Sequence, residues 1–404
     1  MKIVVIGGGA AGQLAAIEAA KNGHEVHIYD KNEKLGKKLF LTGKGRCNVT
    51  NACDRDEFFS NVPHNPRFLF SALNAFAQED IVELLNKNGV QTKIERGNRV
   101  FPVSDKSSDV LRALALECRN TGVRVHLDCP VEDVIVENGS VCGIVAGGQK
   151  IDFDAVIMAT GGVSYPQTGS TGEGLRMAQK LGHTVMPTRG ALVPLETEQT
   201  WCRELSGITL KNVTLTAWRD NKQVYCELGE LLFTHFGVSG PLVLSLSSVI
   251  ADQPSGIKMK IDLKPALSRE QLEIRLLRDL DANKKKTVQG AFGGILPERL
   301  LLAVLEQAQI DPYGTVSEFT KAQRHRFIET LKGVPLTVKC ARPIAEAIIT
   351  RGGVSTKEVN ASTMESKLIK GLYFCGEMLD VDAFTGGFNL QIAWSTGALA
   401  GRSV

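Results

Sequence analysis

The start of the chain changes from an apolar run to a helical pattern and back to an apolar run. Residues 3–6 are continuously apolar and β-branched, which is typical of a parallel strand covered on both faces. A glycine turn follows, then the helical stretch AAGQLAAIEAAKNG, and then a second strand, EVHIYD, which ends at Asp30. This order of strand, turn, helix and strand predicts the beginning of a parallel α/β sheet.

Apolar strands return near residue 131 and again close to the end of the chain. Residues 131–155 alternate in short strands, with turns at Asn138-Gly139 and Gly147-Gly148, and so predict a small β-meander. The apolar strand VIMATGG follows at residues 156–162, and residues 371–401 have the pattern of a strand, a loop and a helix. We therefore expect both ends of the chain to contribute to one sheet.

The pattern between residues 191 and 339 is different. Its first part alternates as antiparallel strands do, with a turn at Asp220-Asn221. Its second part has a helical period that begins with a capping box formed by Ser268 and Gln271. The predicted domains are therefore residues 1–190 together with 340–404, an inserted β-rich domain at residues 191–265, and an inserted helical domain at residues 266–339.

The glycine turn after the first strand has the spacing G-x-G-x-x-G, formed by Gly7, Gly9 and Gly12. The first glycine permits the turn, the second lets a pyrophosphate approach the backbone, and the third lets the helix pack on the strand. Asp30 ends the second strand and can accept hydrogen bonds from ribose hydroxyls. This context predicts a dinucleotide site; the alternative is a glycine-rich turn in an ordinary α/β unit.

Composition and charge narrow the class of protein. The chain has 404 residues, 43% of them hydrophobic, and a net charge of +3, which suggests two or three globular domains. No apolar run reaches the roughly 18 residues of a membrane span, and the chain starts directly with a strand, so we expect neither a membrane segment nor a cleavable signal. Nine cysteines without a CxxC pair predict no metal site and favour reduced thiols in the cytoplasm.

Five motifs occur in order along the chain: GKGRCNVTN, ATGGVSYPQTGSTGEG, FTHFGVSGP, RGGVSTKEVNASTMESK and GLYFCGEMLDVDAFTGGFNLQIAWSTG. With these motifs the sequence resembles, over essentially its whole length, the BaiN/RdsA-type NAD(P)/FAD-dependent oxidoreductases, three-domain bacterial flavoproteins that are also labelled aminoacetone-oxidase-like. The resemblance implies an α/β fold of the FAD-binding, Rossmann-like type found in two-dinucleotide-binding-domain flavoproteins, with an inserted β-rich and helical region. It also implies non-covalent FAD. No second G-x-G-x-x-G follows a strand, so we expect NAD(P)H to dock only transiently as the reductant.

The residues inferred to contact the cofactor lie at the strand ends, in the loop around GKGRCN and at the start of the last helix. They are Gly7, Gly9, Ala11, Gly12, Asp30, Lys31, Lys38, Gly45, Arg46, Cys47, Asn48, Val131, Thr160, Gly161, Gly376, Glu377, Asp380, Gly387, Asn389, Leu390 and Gln391. We expect Lys38 and Arg46 to offset phosphate charge, and the last helix to direct its positive end at the flavin. Lys44 departs from the pattern, since a third glycine is expected there.

Three residues are candidates for the catalytic acid that flavin-dependent C=C reduction requires. Cys47 is one, because a thiol with an ordinary pKa near 8.5 is protonated at neutral pH. The neighbouring Arg46 would favour a thiolate instead, and the remaining interpretation is that Cys47 is a tightly packed small residue. His235 and Tyr165 are the rival candidates, although a structural role is the default for His235.

The leading functional prediction is an FAD-dependent oxidoreductase that reduces an activated C=C bond with electrons from NAD(P)H. Its first-choice substrate is uridine in large-subunit ribosomal RNA, which would give dihydrouridine. The alternatives are a small-molecule oxidoreductase acting on a steroid-like enone or an amine, and a non-catalytic RNA- or protein-binding module. Two basic clusters of the insert, residues 284–286 and residues 321–326, suit contact with ribosomal RNA and solvated helix faces equally well.

Overall fold

The computed structural model describes all residues of the chain, 1–404, and it divides into two compact units. The first unit consists of Met1–Ala191 and Ile344–Val404, and the second of Leu192–Pro343. Both ends of the chain therefore belong to the first unit.

A five-stranded parallel sheet forms the centre of the first unit. Its strands, in spatial order, are Leu372–Phe374, Ala155–Met158, Lys2–Ile6, Glu25–Tyr29 and Arg124–His126. The apolar residues of the four strands other than the edge strand Arg124–His126 are buried, as the continuous β-branched runs predict, whereas Val125 in that edge strand is exposed. The parallel sheet shared by the two ends of the chain is thus confirmed, and the carboxyl ends of its strands meet at one edge.

The first and last helices of this unit, Ala10–Lys21 and Phe388–Ser403, cross at unusually short range. A Cβ atom at Gly397 would lie 2.3 Å from the carbonyl oxygen of Ala11, and one at Gly401 would lie 2.2 Å from that of Ala15. Any larger residue at these two positions would push the helices apart. This packing holds the C-terminal helix against the start of the chain.

Smaller elements complete the first unit. The predicted meander is confirmed, with strands Val131–Glu137, Ser140–Ala146 and Gln149–Asp152 and with positive φ angles at both predicted turns. A three-stranded sheet contains Thr50–Asn51, Arg99–Pro102 and Thr92–Glu95, and a two-stranded sheet pairs Val185–Ala191 with Ile349–Val354. The remaining α-helices are Lys37–Leu41, Arg55–Ser60, Phe70–Ala75, Gln78–Lys87, Ser107–Asn120 and Glu173–Lys180.

The second unit is built on a closed six-stranded barrel. Its strands follow the order Leu195–Thr197, Gly237–Ser239, Lys222–Thr234, Thr209–Arg219, Lys258–Asp262 and Val334–Ala341. Its α-helices are Trp201–Glu204, Pro241–Val249, Arg269–Ala282, Val288–Phe292, Glu298–Gln307 and Lys321–Lys332. The turn at Asp220-Asn221 and the capping box at Ser268 are confirmed.

One hydrophobic core serves both the barrel and the helices of the second unit. It includes Leu215 and Phe233 from barrel strands together with Leu276, Leu301 and Phe327 from helices. The separation of the insert into a β-rich and a helical domain therefore stays a prediction.

The structure contains no helix that combines the length and the apolar character needed to cross a bilayer.

Candidate functional site

The loops that follow three neighbouring strands of the parallel sheet converge on the start of the helix Ala10–Lys21. A Cβ atom at Gly7 would lie 2.6 Å from the carbonyl oxygen of Ala159, and one at Gly376 would lie 2.7 Å from Cβ of Ala11. Such short approaches leave no room for side chains between the loops. The predicted residues at these three strand ends are therefore brought together at one edge of the sheet.

The three glycines after the first strand have different surroundings. A Cβ atom at Gly12 would lie 1.9 Å from the carbonyl oxygen of Gly7, whereas one at Gly9 would meet no atom within 4 Å. Gly9 also begins the helix without a side-chain cap, and the first turn contains no acidic residue. The backbone at Gly9 thus offers both space and unpaired N–H donors, which is what a pyrophosphate needs.

Asp30 and Lys31 lie beyond the end of the second strand. Asp30 is 9% exposed, and its two carboxylate oxygens accept hydrogen bonds from the backbone N–H of Gly8 at 2.7 Å and of Asn32 at 2.8 Å. Oδ1 also accepts from Nδ2 of Asn32 at 2.9 Å, so Oδ2 is the oxygen that keeps a lone pair for a further donor. The Lys31 ammonium lies 2.7 Å from the Glu173 carboxylate and keeps the pKa of that carboxyl below its usual value.

Lys38 belongs to a polar network that joins three loops of the first unit. Its Nζ atom donates to Oε2 of Glu377 at 2.6 Å and to Oγ of Ser164 at 2.7 Å. Oε1 of Glu377 accepts from the backbone N–H of Thr350 at 2.6 Å and from Oγ of Ser164 at 2.9 Å. Lys38 is therefore a partly neutralised cation with a fixed position. Glu377 follows the strand Leu372–Phe374 and links the end of that strand to the loops that carry Ser164 and Thr350.

Arg46 is occupied by protein carboxylates. Its guanidinium pairs with Glu95 and, at 2.7 Å, with Asp105, and these hydrogen bonds raise the pKa of Arg46 further. The same group lies 4.1 Å from the centre of the Phe101 ring. The prediction that Arg46 offsets phosphate charge is therefore weakened, because two neighbouring carboxylates already compensate its charge.

Cys47 is fully buried in a small hydrophobic cluster that also contains Leu14, Val49 and Trp394. Burial raises the pKa of its thiol to about 12, although a hydrogen bond with Thr42 opposes the rise. The thiol stays neutral at physiological pH, so the thiolate favoured by an adjacent arginine does not form. With no exposed surface on its side chain, Cys47 fits the packing interpretation better than the proton-donor one.

The start of the C-terminal helix is braced by its own polar side chains. Nδ2 of Asn389 donates to the carbonyl oxygen of Ala383 at 2.7 Å, and the buried Gln391 accepts from Oγ1 of Thr50 at 2.7 Å. The cap residue, Gly387, supplies no side chain, and a Cβ atom there would lie 2.4 Å from the carbonyl oxygen of Thr50. The amides at this helix start are thus left uncapped while its position is fixed.

The other predicted cofactor residues occupy less constrained positions. Val131 begins a meander strand and is buried, and Leu390 packs beside the cluster of Cys47. Thr160 follows the strand Ala155–Met158 and donates to the sulfur of Met378 at 3.2 Å, and Gly161 is next to it with a φ of 76°. Burial raises the pKa of Asp380, which accepts a hydrogen bond from Asn65.

The two rival acid candidates are in different units. Tyr165 is half-buried in the first unit, with a φ of 51°. His235 is exposed in the second unit, at the turn between two barrel strands, and its ring packs against that of Phe236.

These residues fit a flavin dinucleotide. The open backbone positions at Gly9 and Gly45 meet no atom within 4 Å of an added Cβ. Asn48 has a buried Oδ1 atom without a hydrogen-bond partner, which suits a ligand N–H such as that of a flavin ring. The two uncapped helix starts add N–H donors for negative charge.

A family model described as the HI0933-like protein Rossmann domain matches residues 1–403. The chain belongs to this family. It is an FAD-dependent oxidoreductase, and the resemblance inferred from the five motifs is confirmed.

Two relatives of the HI0933-like chain are similar over nearly their whole length. The 3-dehydro-bile acid delta(4,6)-reductase of Clostridium scindens is 34% identical over 410 residues, which cover 100% of this chain and 98% of the relative. The ribosomal RNA dihydrouridine synthase of Escherichia coli is 32% identical over 394 residues, which cover 97% and 95%. Among solved structures, a 3-ketosteroid-delta4-(5alpha)-dehydrogenase of Rhodococcus jostii RHA1 has a TM-score of 0.55 at 17% identity, covering 99% of this chain and 96% of that one. This last similarity supports the fold alone.

One polar pair of the HI0933-like chain was not predicted from its sequence. Nδ1 of His64 lies 2.7 Å from Oδ1 of Asp382, whose side chain is almost completely buried. Asp382 lies in the motif GEMLDVDAFTGG, two residues after the predicted Asp380, and that motif is the signal that could have identified it. His64 lies in no motif, and its partner is 318 residues away in the chain.

Proposed function

We propose that this protein reduces an activated C=C bond with electrons from NAD(P)H, and that uridine in large-subunit ribosomal RNA is its first-choice substrate. The observation that carries the proposal is the convergence of three strand ends on an uncapped helix start, with open backbone at Gly9. The names of the two relatives support the reaction class, because one is a reductase and the other forms dihydrouridine.

The residues that would hold FAD follow from the geometry. The N–H groups at Gly9 and Ala11 would bind the pyrophosphate, and Asp30 would accept from a ribose hydroxyl through the free lone pair of Oδ2. The uncapped start of the C-terminal helix, at Gly387 and Asn389, would stabilise negative charge on the flavin ring. When bound, the flavin supplies a hydride to one carbon of the double bond, and the protein must supply a proton to the other.

An RNA substrate requires a cationic surface. Two arginines of the basic cluster at residues 321–326 are already engaged in contacts within the protein. Arg324 pairs with Glu273 at 3.0 Å, and Arg326 donates to the carbonyl oxygen of Ala308 at 2.9 Å. These two arginines hold the helices of the second unit together. We therefore assign contact with ribosomal RNA to the exposed run at residues 284–286, in which Lys284 lies 3.5 Å from Asp281 and the next two lysines form no ion pair. We place the reaction in the cytoplasm with its substrate.

A steroid-like enone is the second candidate substrate. It is favoured by the Clostridium scindens relative, which is 34% identical over the whole chain. An enone and a uracil ring both carry a C=C bond polarised by a carbonyl group, so the same hydride and proton transfer would reduce either one.

The test uses the purified protein after reconstitution with FAD. Anaerobic NADH or NADPH should bleach the flavin absorbance, and the reduced protein is then mixed with either large-subunit ribosomal RNA or a 3-keto-4,6-diene steroid. Mass spectrometry should find a gain of two hydrogens in one of the two. Bleaching that is reversed by oxygen with peroxide release, with neither acceptor reduced, would support an oxidase instead.

A further inference from the structure

The pair formed by His64 and Asp382 has the geometry of an oriented proton carrier. Nδ1 of His64 is 2.7 Å from Oδ1 of Asp382, and the side chains are 25% and 1% exposed, respectively. The second carboxylate oxygen, Oδ2, is buried and has no hydrogen-bond partner. A buried carboxylate interacts strongly with its hydrogen-bond donor, because charges are screened weakly in the protein interior.

The protein holds this pair at the entrance to the C-terminal helix. The backbone N–H of Phe384 donates to the carbonyl oxygen of Asn61 at 2.9 Å, and Nδ2 of Asn65 donates to that of Asp380 at 2.6 Å. The segment at residues 61–65 therefore lies along the loop at residues 380–384. That loop continues directly into Gly387, which begins the helix assigned above to the flavin ring.

The chemistry of this arrangement is specific. A carboxylate that accepts from Nδ1–H fixes one tautomer and one orientation of the imidazole, so that Nε2 is the atom presented for proton transfer. Burial raises the pKa of Asp380, on the same loop, and the charge of Asp382 adds to this rise, whereas Arg351 opposes it. Of the two carboxylates, that of Asp382 is the one hydrogen-bonded to the imidazole.

We propose that His64, oriented by Asp382, is the acid that protonates the substrate carbon; this inference rests on the proposed C=C reduction. One carbon would receive a hydride, with both electrons, from the reduced flavin when it is bound, and Nε2–H of His64 supplies the proton to the neighbouring carbon. The C=C π bond breaks, two C–H bonds form, and His64 becomes neutral with Nδ1–H still bonded to Asp382. Solvent then returns the proton to Nε2.

His64 meets two requirements that Cys47 does not. Its ring is a quarter exposed, whereas the Cys47 side chain has no exposed surface. Its Nε2 atom is not used in the hydrogen bond to Asp382, which Nδ1 makes, whereas burial raises the pKa of the Cys47 thiol to about 12.

The experiment compares the FAD-loaded wild-type protein with His64→Asn. Asparagine can still donate to Asp382 but carries no proton to transfer. We expect flavin reduction by NAD(P)H to stay within about twofold, while reoxidation by the accepted substrate slows at least about 100-fold. His24→Asn is the matched control, since it makes the same substitution at a histidine that contacts the terminal residues Met1 and Val404, and it should leave reoxidation within about twofold.

A second readout does not depend on turnover. The reduction potential of the bound flavin is measured against pH in both proteins, and a histidine beside the ring should change the slope in the wild type but not in His64→Asn. Reoxidation of His64→Asn within about threefold of wild type would overturn the assignment. If wild type reduces no acceptor, the proposed function fails, and equal slopes would then overturn the role of His64 as well.

Discussion

The glycine loop at residues 7–12 and the loop at residues 43–47 differ in what surrounds their backbones. In the first loop, added Cβ atoms at Gly7 and Gly12 would lie 2.6 Å and 1.9 Å from backbone oxygens. In the second loop, an added Cβ at Gly45 would meet nothing within 4 Å. Lack of space thus requires glycine at Gly7 and Gly12, whereas there is room for a side chain at Gly45.

In the second loop, the conformation of the backbone favours glycine. Left-handed φ angles between 58° and 82° occur at four positions: Gly43, Lys44, Gly45 and Cys47. Glycine adopts this region without the steric conflict that a Cβ atom creates. Gly12 and Gly45 therefore resist substitution for different reasons, lack of space at Gly12 and a left-handed φ of 82° at Gly45, so their variants should fail differently.

The largest effect is expected for Gly12→Ala. A Cβ atom 1.9 Å from the Gly7 carbonyl oxygen must displace the helix from the first strand, because both atoms belong to rigid backbone. We expect a loss of about 3 kcal/mol or more in the free energy of unfolding, measured by urea denaturation. An unchanged midpoint would show that the helix shifts easily, and the contrast between the two loops would then disappear.

Gly9→Ala separates folding from binding within the first loop. Gly9 has a φ of −75°, and its added Cβ meets no protein atom within 4 Å, so stability should change by less than about 0.5 kcal/mol. The new methyl group would occupy the space assigned to the pyrophosphate, and FAD affinity should fall about 100-fold. Fluorescence titration of the apoprotein with FAD measures this, and an unchanged dissociation constant would remove the pyrophosphate from this position.

The roles of the first loop could be predicted from sequence because they depend on neighbours within one strand, turn and helix. The burial of Cys47 could not. Its cluster includes Trp394, whose indole N–H donates to the carbonyl oxygen of Val49 at 2.9 Å across 345 residues of chain. The pairing of His64 with Asp382 also depends on how the C-terminal segment packs, which no local pattern reports.

The pH dependence of the free energy of unfolding of Cys47→Ala, compared with wild type, tests the burial of the Cys47 thiol in the second loop. The pKa of the thiol is about 12 in the folded protein, against an ordinary value of about 8.5 to 9, so its contribution to stability is complete below about pH 8 and is lost as the pH rises. Between pH 8 and pH 10.5 the wild type should lose about 2 kcal/mol more of its free energy of unfolding than Cys47→Ala does.

The same variant also tests the packing interpretation of Cys47. Reoxidation of the reduced flavin by substrate should stay within about threefold of wild type at neutral pH. A loss of about 100-fold or more would restore Cys47 as the acid and would count against His64.

The smallest effect is expected at Lys44, where the sequence departs from the expected third glycine. Its φ of 59° and ψ of 43° are left-handed, and its side chain is exposed. Lys44→Gly relieves roughly 1 kcal/mol of backbone strain but gives the unfolded chain more freedom, so a net gain of about 0.5 kcal/mol is expected. Lys44→Ala keeps the strain and removes the same charge, so it should show no gain in thermal or urea unfolding. Equal gains in both variants would mean that charge repulsion, rather than backbone conformation, governs this loop.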